Sequence, residues 1–282
     1  MNFRPRRSAL YLPASSEKAI AKARSLPCDV LILDLEDAVA PDAKSTARKQ
    51  AVAAVQEGGF GNREVVIRVN GLTTEWGEED LAAVSAVAAD AILVPKVSSG
   101  DEIKSYSDRL SQSKAPLWAM IETAKSLFRL DEIGSTAAAG RLTGFVMGTN
   151  DLAKELGAQP GTLRTPFLGA LGLAVAAARA NGLVIFDGVF NDLDDAEGFV
   201  AQTRQGVEFG FDGKTLIHPS QIDPCNQAFT PDAASLAWAK RIIEAFDDPA
   251  NADKGAIRLD GKMVERLHLH QARRAIAAGS IS

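Results

Sequence analysis

Carboxylates recur in this chain where short apolar runs end. Leu33-Asp34-Leu35-Glu36-Asp37 closes one run, Met120-Ile121-Glu122-Thr123 closes a second, Gly148-Thr149-Asn150-Asp151 follows a third, and Phe186-Asp187-Gly188 ends a fourth. Cations stand at two comparable points, Arg68 in Ile67-Arg68-Val69-Asn70 and Lys96 in Val94-Pro95-Lys96. Carboxylates brought close together repel, and a divalent cation is the economical way to hold them. Oxygen ligands alone suit Mg2+ or Mn2+, and Mg2+ takes one or two carboxylates and completes its shell with water and substrate oxygens. A single acidic residue after a strand can be a helix cap. Asp34, Glu36 and Asp37 together are more than one helix needs. The planar fork of Arg68 could grip a substrate carboxylate, or it could pair internally with Glu36 or Asp37. Lys96 could form a Schiff base or serve as a structural partner of the carboxylates.

Other signals are weaker. Tyr11-Leu12-Pro13-Ala14-Ser15-Ser16 leads into a helical stretch in which Lys18 and Lys22 share a face. Two cations there could hold a polyanionic handle such as a nucleotide phosphate, or form a solvated face. His218, in Ile217-His218-Pro219, is of a kind that is more often packed or hydrogen-bonded than a base. His268 and His270 are two residues apart, on different helical faces, which speaks against a metal pair. Cys28 and Cys225 belong to no CxxC or Cys/His cluster. The basic start Met1-Asn2-Phe3-Arg4-Pro5-Arg6-Arg7 lacks the apolar region of an export signal, so a reducing, cytoplasmic setting is expected.

Positioning these groups is the task of regularly alternating elements. Strand patterns fall at Ser8–Pro13, Asp29–Asp34, Glu64–Asn70, Ala91–Lys96, Pro116–Glu122, Leu142–Met147, Gly182–Asp187 and Phe209–His218, with helix patterns such as Ser16–Ser25, Ala43–Glu57, Thr74–Ala88, Gly100–Ser111 and Pro166–Ala180 between them. Strands separated by helices pair in parallel through crossovers. Runs such as Val30-Leu31-Ile32-Leu33 are apolar on both faces, as a helix-covered sheet requires. Eight such units predict an α/β fold, a (β/α)8 (TIM) barrel, in which strand ends and the loops after them meet on one rim. A doubly wound open sheet is the alternative, but no strand-to-helix turn carries GxGxxG. The barrel is expected over residues 1–248. A C-terminal linker and lid segment is expected over 249–282, with Ala245–Gly255 polar and Leu259–Ala278 read as a loop and a final helix.

Composition narrows the classes further. The 282 residues are 46% hydrophobic and 24% charged, an ordinary globular mixture. No apolar run approaches the roughly 20 residues that span a bilayer. A net charge of −5 offers no basic face for nucleic acid.

Taken in order, these segments resemble the citrate lyase β-subunit family of the HpcH/HpaI aldolase superfamily, which includes malyl-CoA, citramalyl-CoA and citryl-CoA lyases. The resemblance runs from Arg7-Ser8-Ala9-Leu10-Tyr11-Leu12-Pro13 through Leu33-Asp34-Leu35-Glu36-Asp37-Ala38-Val39, Arg68-Val69-Asn70, Val94-Pro95-Lys96, Ile121-Glu122-Thr123-Ala124, Gly148-Thr149-Asn150-Asp151-Leu152 and Ile217-His218-Pro219-Ser220-Gln221-Ile222 to Asp260-Gly261-Lys262-Met263-Val264. It implies Mg2+ held by Glu122 and Asp151, with Arg68 on the keto-acid carboxylate. It implies that Tyr11, Lys18 and Lys22 meet the CoA arm and that Ile217 and His218 touch substrate. It further implies a homo-oligomer, a trimer or hexamer, whose tail lends an acidic residue to a neighbouring subunit.

Four departures bear on the substrate. Glu265 stands where the family has Asp, Leu267 replaces a proline, Pro13-Ala14-Ser15 replaces Pro-Gly-Asn, and the helix over Arg164–Ala180 lacks the family's arginine-serine pair. The activity these residues imply is Mg2+-dependent carbon–carbon cleavage of a short 3-hydroxy dicarboxylic acyl-CoA to acetyl-CoA and a 2-oxo acid. Arg68 would orient the carboxylate, Glu265 would act as the acid or base, and Asp37 would support Arg68 or a water. Hydrolysis of a malyl-CoA-type thioester and action on a carrier-protein-bound substrate are the alternatives.

Overall fold

The structure is a computed structural model and describes residues 4–111, 113–251 and 253–279. Eight parallel strands close into a barrel in sequence order: β1 (Ser8–Pro13), β2 (Val30–Asp34), β3 (Glu64–Arg68), β4 (Ala91–Val94), β5 (Leu117–Ile121), β6 (Leu142–Met147), β7 (Val184–Asp187) and β8 (Gly213–Leu216). β8 returns to β1, with Leu10 opposite Leu216, so no strand edge is left open. The interior is packed by Ala9, Val30, Ile32, Val66, Ala91, Leu93, Trp118, Met120, Val146 and Phe186. Rings of Trp118 and Phe186 meet there at 4.9 Å.

Helices connect and cover the strands: α1 (Glu17–Ala23), α2 (Lys44–Glu57), α3 (Gly77–Ser85), α4 (Gly100–Arg109), α5 (Ala124–Leu127), α6 (Leu130–Ser135), α7 (Thr149–Leu156), α8 (Leu168–Ala180), α9 (Ala196–Phe209) and α10 (Ile222–Phe229). Ser16, Ser99, Thr123 and Asp195 each accept a backbone N–H in the first turn of the helix that follows, which fixes where α1, α4, α5 and α9 begin.

Several strands stop earlier than their apolar patterns suggest. β3 ends at Arg68, β4 at Val94 and β5 at Ile121, so Asn70, Lys96 and Glu122 lie in the loops. Pro95 has no N–H for the ladder, and Lys96 turns into the left-handed region at φ 54°. Asp187 is withdrawn from the rim altogether. It is fully buried, with Arg164 Nη1 at 2.5 Å on one oxygen and Lys214 Nζ at 3.0 Å on the other, and Lys214 also donates to Gln202.

The barrel unit spans Arg6–Asn226, and a smaller compact unit takes up the chain from Gln227. The division falls ahead of α11 (Ala233–Asp247), a segment the sequence pattern assigns to the barrel. The smaller unit continues with β9 (Ala256–Leu259), β10 (Lys262–Glu265) and α12 (Arg266–Gly279). Ala239, Ile242 and Phe246 of α11 form one apolar cluster with Val264, Leu269 and Ala272, which explains why α11 belongs with the tail. β9 and β10 pair as an antiparallel hairpin where a loop was expected. Its turn is Asp260-Gly261, both at positive φ (50° and 79°), the backbone that a tight two-residue hairpin demands.

The buried Asp187 network yields a stability prediction. Lys214→Met removes one of the two cations facing a carboxylate that has no access to water. The expected cost is about 3 kcal/mol or more, read from the denaturant midpoint. A loss below about 1 kcal/mol would show that Arg164 alone compensates Asp187.

Candidate active site

The rim is organised by a register partnership. Asp34 and Arg68 are opposite one another at the ends of β2 and β3. Both arms of the Arg68 fork donate to Asp34, Nε to Oδ1 and Nη2 to Oδ2, each at 2.6 Å. Asp34 also accepts the backbone N–H groups of Glu36 (2.9 Å) and Ala38 (3.0 Å), so the same carboxylate shapes the loop after β2. The bidentate face of Arg68 is therefore engaged within the protein. Its remaining nitrogen, Nη1, lies 3.0 Å from Glu36 Oε2 and 3.5 Å from Asp37 Oδ2. The guanidinium sits 4.8 Å from the Tyr11 ring, a cation–π contact. Glu36 Oε2 is buried and receives no hydrogen bond despite that 3.0 Å approach, so no N–H of Arg68 is aimed at it. Burial raises the Glu36 carboxyl, against the pull of Arg68 and Lys96.

Lys96 ties the rest together. Its left-handed backbone turns its N–H to Glu122 Oε1 at 2.7 Å. Its ammonium pairs with Glu36 and lies 3.5 Å from Asp151 Oδ2 and 3.9 Å from Asp37 Oδ1. Burial lowers the Lys96 pKa, but the hydrogen bond and charge of Glu36 outweigh it and hold the group above its ordinary value. An ammonium so stabilised is not a Schiff-base nucleophile, and the structural role is the one this geometry supports.

Glu122 is almost completely buried, just past β5. Burial first, and Glu36 second, push its carboxyl up to about 8. The turn after β6 makes room for it, since a Cβ on Gly148 would come within 2.2 Å of Glu122 Oε2 and 2.4 Å of its Cβ. Gly148 thereby lets Glu122 sit beside the first turn of α7, where Asp151 stands. Among the described residues no three His, Cys, Asp or Glu side chains gather as a metal cage. A cation held by Glu122 and Asp151 would keep most of its shell open, as Mg2+ with a chelating substrate requires. The space Gly148 leaves for Glu122 fits that arrangement.

A cavity of about 290 Å³ opens over these groups and is lined by Tyr11, Asp34, Asp37, Arg68, Glu122, Asp151 and Ile217, among others. Glu36, Asp37 and Lys96 line a larger cavity of about 620 Å³ that extends to Trp76, Tyr106 and Arg109. The smaller one is lined by both Glu122 and Asp151 and is the candidate site. Seven of the residues singled out from sequence thus converge: Tyr11, Asp34, Asp37, Arg68, Glu122, Asp151 and Ile217.

Glu36 and Lys96 line the larger cavity instead, and Lys18, Lys22 and His218 line neither. Lys18 and Lys22 are exposed on α1, with no ion pair among the described residues. His218 is exposed, and its Nδ1 accepts the Ser220 N–H at 3.2 Å, capping the turn over Pro219–Gln221. Glu265 ends β10 in the smaller unit, where its N–H donates to His268 Nδ1 at 2.9 Å. Sequence reasoning named Asp34 but missed it as the partner of Arg68, and missed Gly148 as the space for Glu122. The register of β2 against β3 is the signal for the first, and nothing local marks the second.

Fold and rim together define an α/β barrel with an acidic, cation-paired cavity at its strand ends. The chain belongs to the HpcH/HpaI aldolase/citrate lyase family, whose model matches residues 7–219. It is 47% identical to a (3S)-malyl-CoA thioesterase of Cereibacter sphaeroides, over 97% of this chain and 94% of that protein. It is 33% identical to the mitochondrial citramalyl-CoA lyase of Homo sapiens, over 96% of this chain and 85% of that protein. Among solved structures, CitE from Mycobacterium tuberculosis in complex with magnesium, acetoacetate and coenzyme A superimposes with a TM-score of 0.79, at 27% identity, covering 99% of this chain and 100% of that one.

Two predictions arise from this geometry. Gly148→Ala forces the Glu122 side chain out of its place, and calorimetry is expected to show Mg2+ affinity reduced at least tenfold in a folded protein, a drop of about 1.4 kcal/mol. Unchanged affinity would separate Glu122 from the metal. The second concerns pH. Below about 8 the raised Glu122 carboxyl is protonated, and the metal must displace that proton. Mg2+ affinity is therefore expected to climb as pH rises from 6 toward 8 and to level off above, with proton release at pH 6.5 seen by titration in buffers of different ionisation enthalpy. Flat affinity across that range would contradict the assignment.

Proposed function

We propose that the protein is a Mg2+-dependent thioesterase that hydrolyses a short 3-hydroxy dicarboxylic acyl-CoA of the malyl-CoA type to the free hydroxy acid and CoA. The observation that carries this reading is the 47% identity to a malyl-CoA thioesterase over 97% of the chain, with Glu122, Asp151, Arg68 and Asp37 converging on one cavity. A cavity of about 290 Å³ suits a short acyl group. Bound by Glu122 and Asp151, Mg2+ would supply Lewis-acid polarisation of substrate oxygens.

The chain's own groups account for the remaining steps. Arg68 is rigidly held by Asp34 and presents Nη1 to the distal substrate carboxylate. Asp37, largely exposed at the cavity wall, orients the attacking water and takes its proton as the new C–O bond forms at the thioester carbon. The C–S bond then breaks, the sulfur leaves with the electron pair, and the proton held on Asp37 passes to the thiolate. Lys18 and Lys22, exposed on one face of α1, meet the CoA phosphates, which favours free CoA over a carrier-protein substrate. The same reading assigns a cytoplasmic homo-oligomer, a trimer or hexamer, with Glu265 of one copy reaching the thioester side of the next.

Carbon–carbon cleavage to acetyl-CoA and a 2-oxo acid is the second reading. The 33% identity to citramalyl-CoA lyase favours it, together with the carboxylate retained at Glu265, which would protonate the departing enolate. Incubation with Mg2+ and either malyl-CoA or citramalyl-CoA decides between them. Hydrolysis is expected to release one free thiol per substrate with no 2-oxo acid. Release of glyoxylate or pyruvate without free thiol would establish the lyase, and no turnover of either compound would overturn both.

A further inference from the structure

Lys96 lines the larger cavity beside the site, contacts both Glu122 and Asp151, and has no part in the steps above. Three features set it apart. Its backbone adopts φ 54°, a conformation that a side chain other than glycine's rarely takes, and this turns its N–H onto Glu122. Its half-exposed side chain reaches back to pair with Glu36 and to lie 3.5 Å from Asp151 and 3.9 Å from Asp37. Among the described residues it alone meets Glu122 through its backbone and Asp151 through its side chain.

Those two contacts have opposite consequences for a cation. The N–H on Glu122 Oε1 fixes that carboxylate and leaves its other oxygen beside the Gly148 turn. The ammonium near Asp151 partly neutralises the second ligand and repels any divalent ion that approaches it. Arg68 gives two arms to Asp34 and turns its remaining nitrogen toward Glu36 and Asp37, and of the two cations only Lys96 also approaches Asp151.

We propose that Lys96 is a positioning residue with two separable roles: its left-handed backbone holds Glu122 in place, and its ammonium competes with the divalent cation for Asp151. The competition keeps metal affinity moderate. This inference rests on the assignment of Glu122 and Asp151 as the metal ligands.

Lys96→Gly separates the roles, because glycine accepts the positive φ and keeps the N–H on Glu122 while the ammonium is lost. Lys96→Met removes the ammonium with the apolar stem retained. Lys154→Met, which removes an exposed cation from the same helix as Asp151, is the control for general charge. Titration of the full-length protein with Mg2+ at constant pH and about 0.15 M salt is expected to show binding at least tenfold tighter in Lys96→Gly and unchanged in Lys154→Met. A merely structural role for Lys96 would weaken binding instead. Unchanged or weaker binding in a folded Lys96→Gly protein overturns the proposal, as does an equal gain in Lys154→Met. Failure of the wild type to bind Mg2+ overturns the metal assignment itself, and the competition with it. Should Lys96→Met fail to fold, Lys96→Gly carries the test alone.

Discussion

Everything at the rim depends on the buried pair between Asp34 and Arg68. A guanidinium this deep inside a protein needs a partner, and Asp34 meets it with two parallel hydrogen bonds of 2.6 Å. The pair exists because β2 and β3 place the two residues in register at their ends. Asp34 then does more than neutralise Arg68. By accepting the N–H groups of Glu36 and Ala38 it bends the following loop so that Glu36 and Asp37 face the remaining nitrogen of the same arginine. One carboxylate thus sets the direction of the arginine and the shape of the acidic loop. Removing it would leave a buried cation uncompensated.

The rest of the rim follows from how five carboxylates share two cations. Asp34 takes two arms of Arg68, whose third nitrogen meets Glu36 and Asp37, and Lys96 faces Glu36, Asp37 and Asp151. Glu122, which has only a backbone N–H and a poorly solvated surrounding, relieves the excess by holding a proton, with its carboxyl raised to about 8. A site in this condition favours a divalent cation, because the incoming charge offsets the burial and, second to it, the repulsion by Glu36 that hold the proton on Glu122. The barrel places this repulsion at the C-terminal ends of its strands, where the side chains stop packing against one another and begin to face a cavity.

The smaller unit obeys different rules. It has its own apolar cluster, built between α11, α12 and β10, and a hairpin closed by Asp260-Gly261. Its acidic residue, Glu265, ends a strand and sits beside His268. Its chemistry is assigned through the resemblance, whereas that of Arg68, Glu122 and Lys96 can be argued from contacts.

The sequence by itself determined the barrel, because eight apolar runs separated by helical patterns permit few other closed arrangements. It also determined which residues would stand at the rim, since each polar group follows an apolar run directly. It did not determine how they pair. Arg68 was expected to turn its fork toward a substrate or to pair with Glu36 or Asp37, yet two arms of the fork are taken by Asp34, a choice made by strand register across 34 positions of chain, and only Nη1 reaches Glu36 and Asp37. Asp187 was grouped with the rim acids, but Arg164 and Lys214 draw it inside. The hairpin in the tail escaped notice because four-residue strands show too little periodicity, although Asp260-Gly261 carries the turn signal. The space that Gly148 leaves for Glu122 had no local signal at all. It arises where β5 and β6 lie side by side, and only a folded chain brings a missing side chain against a present one.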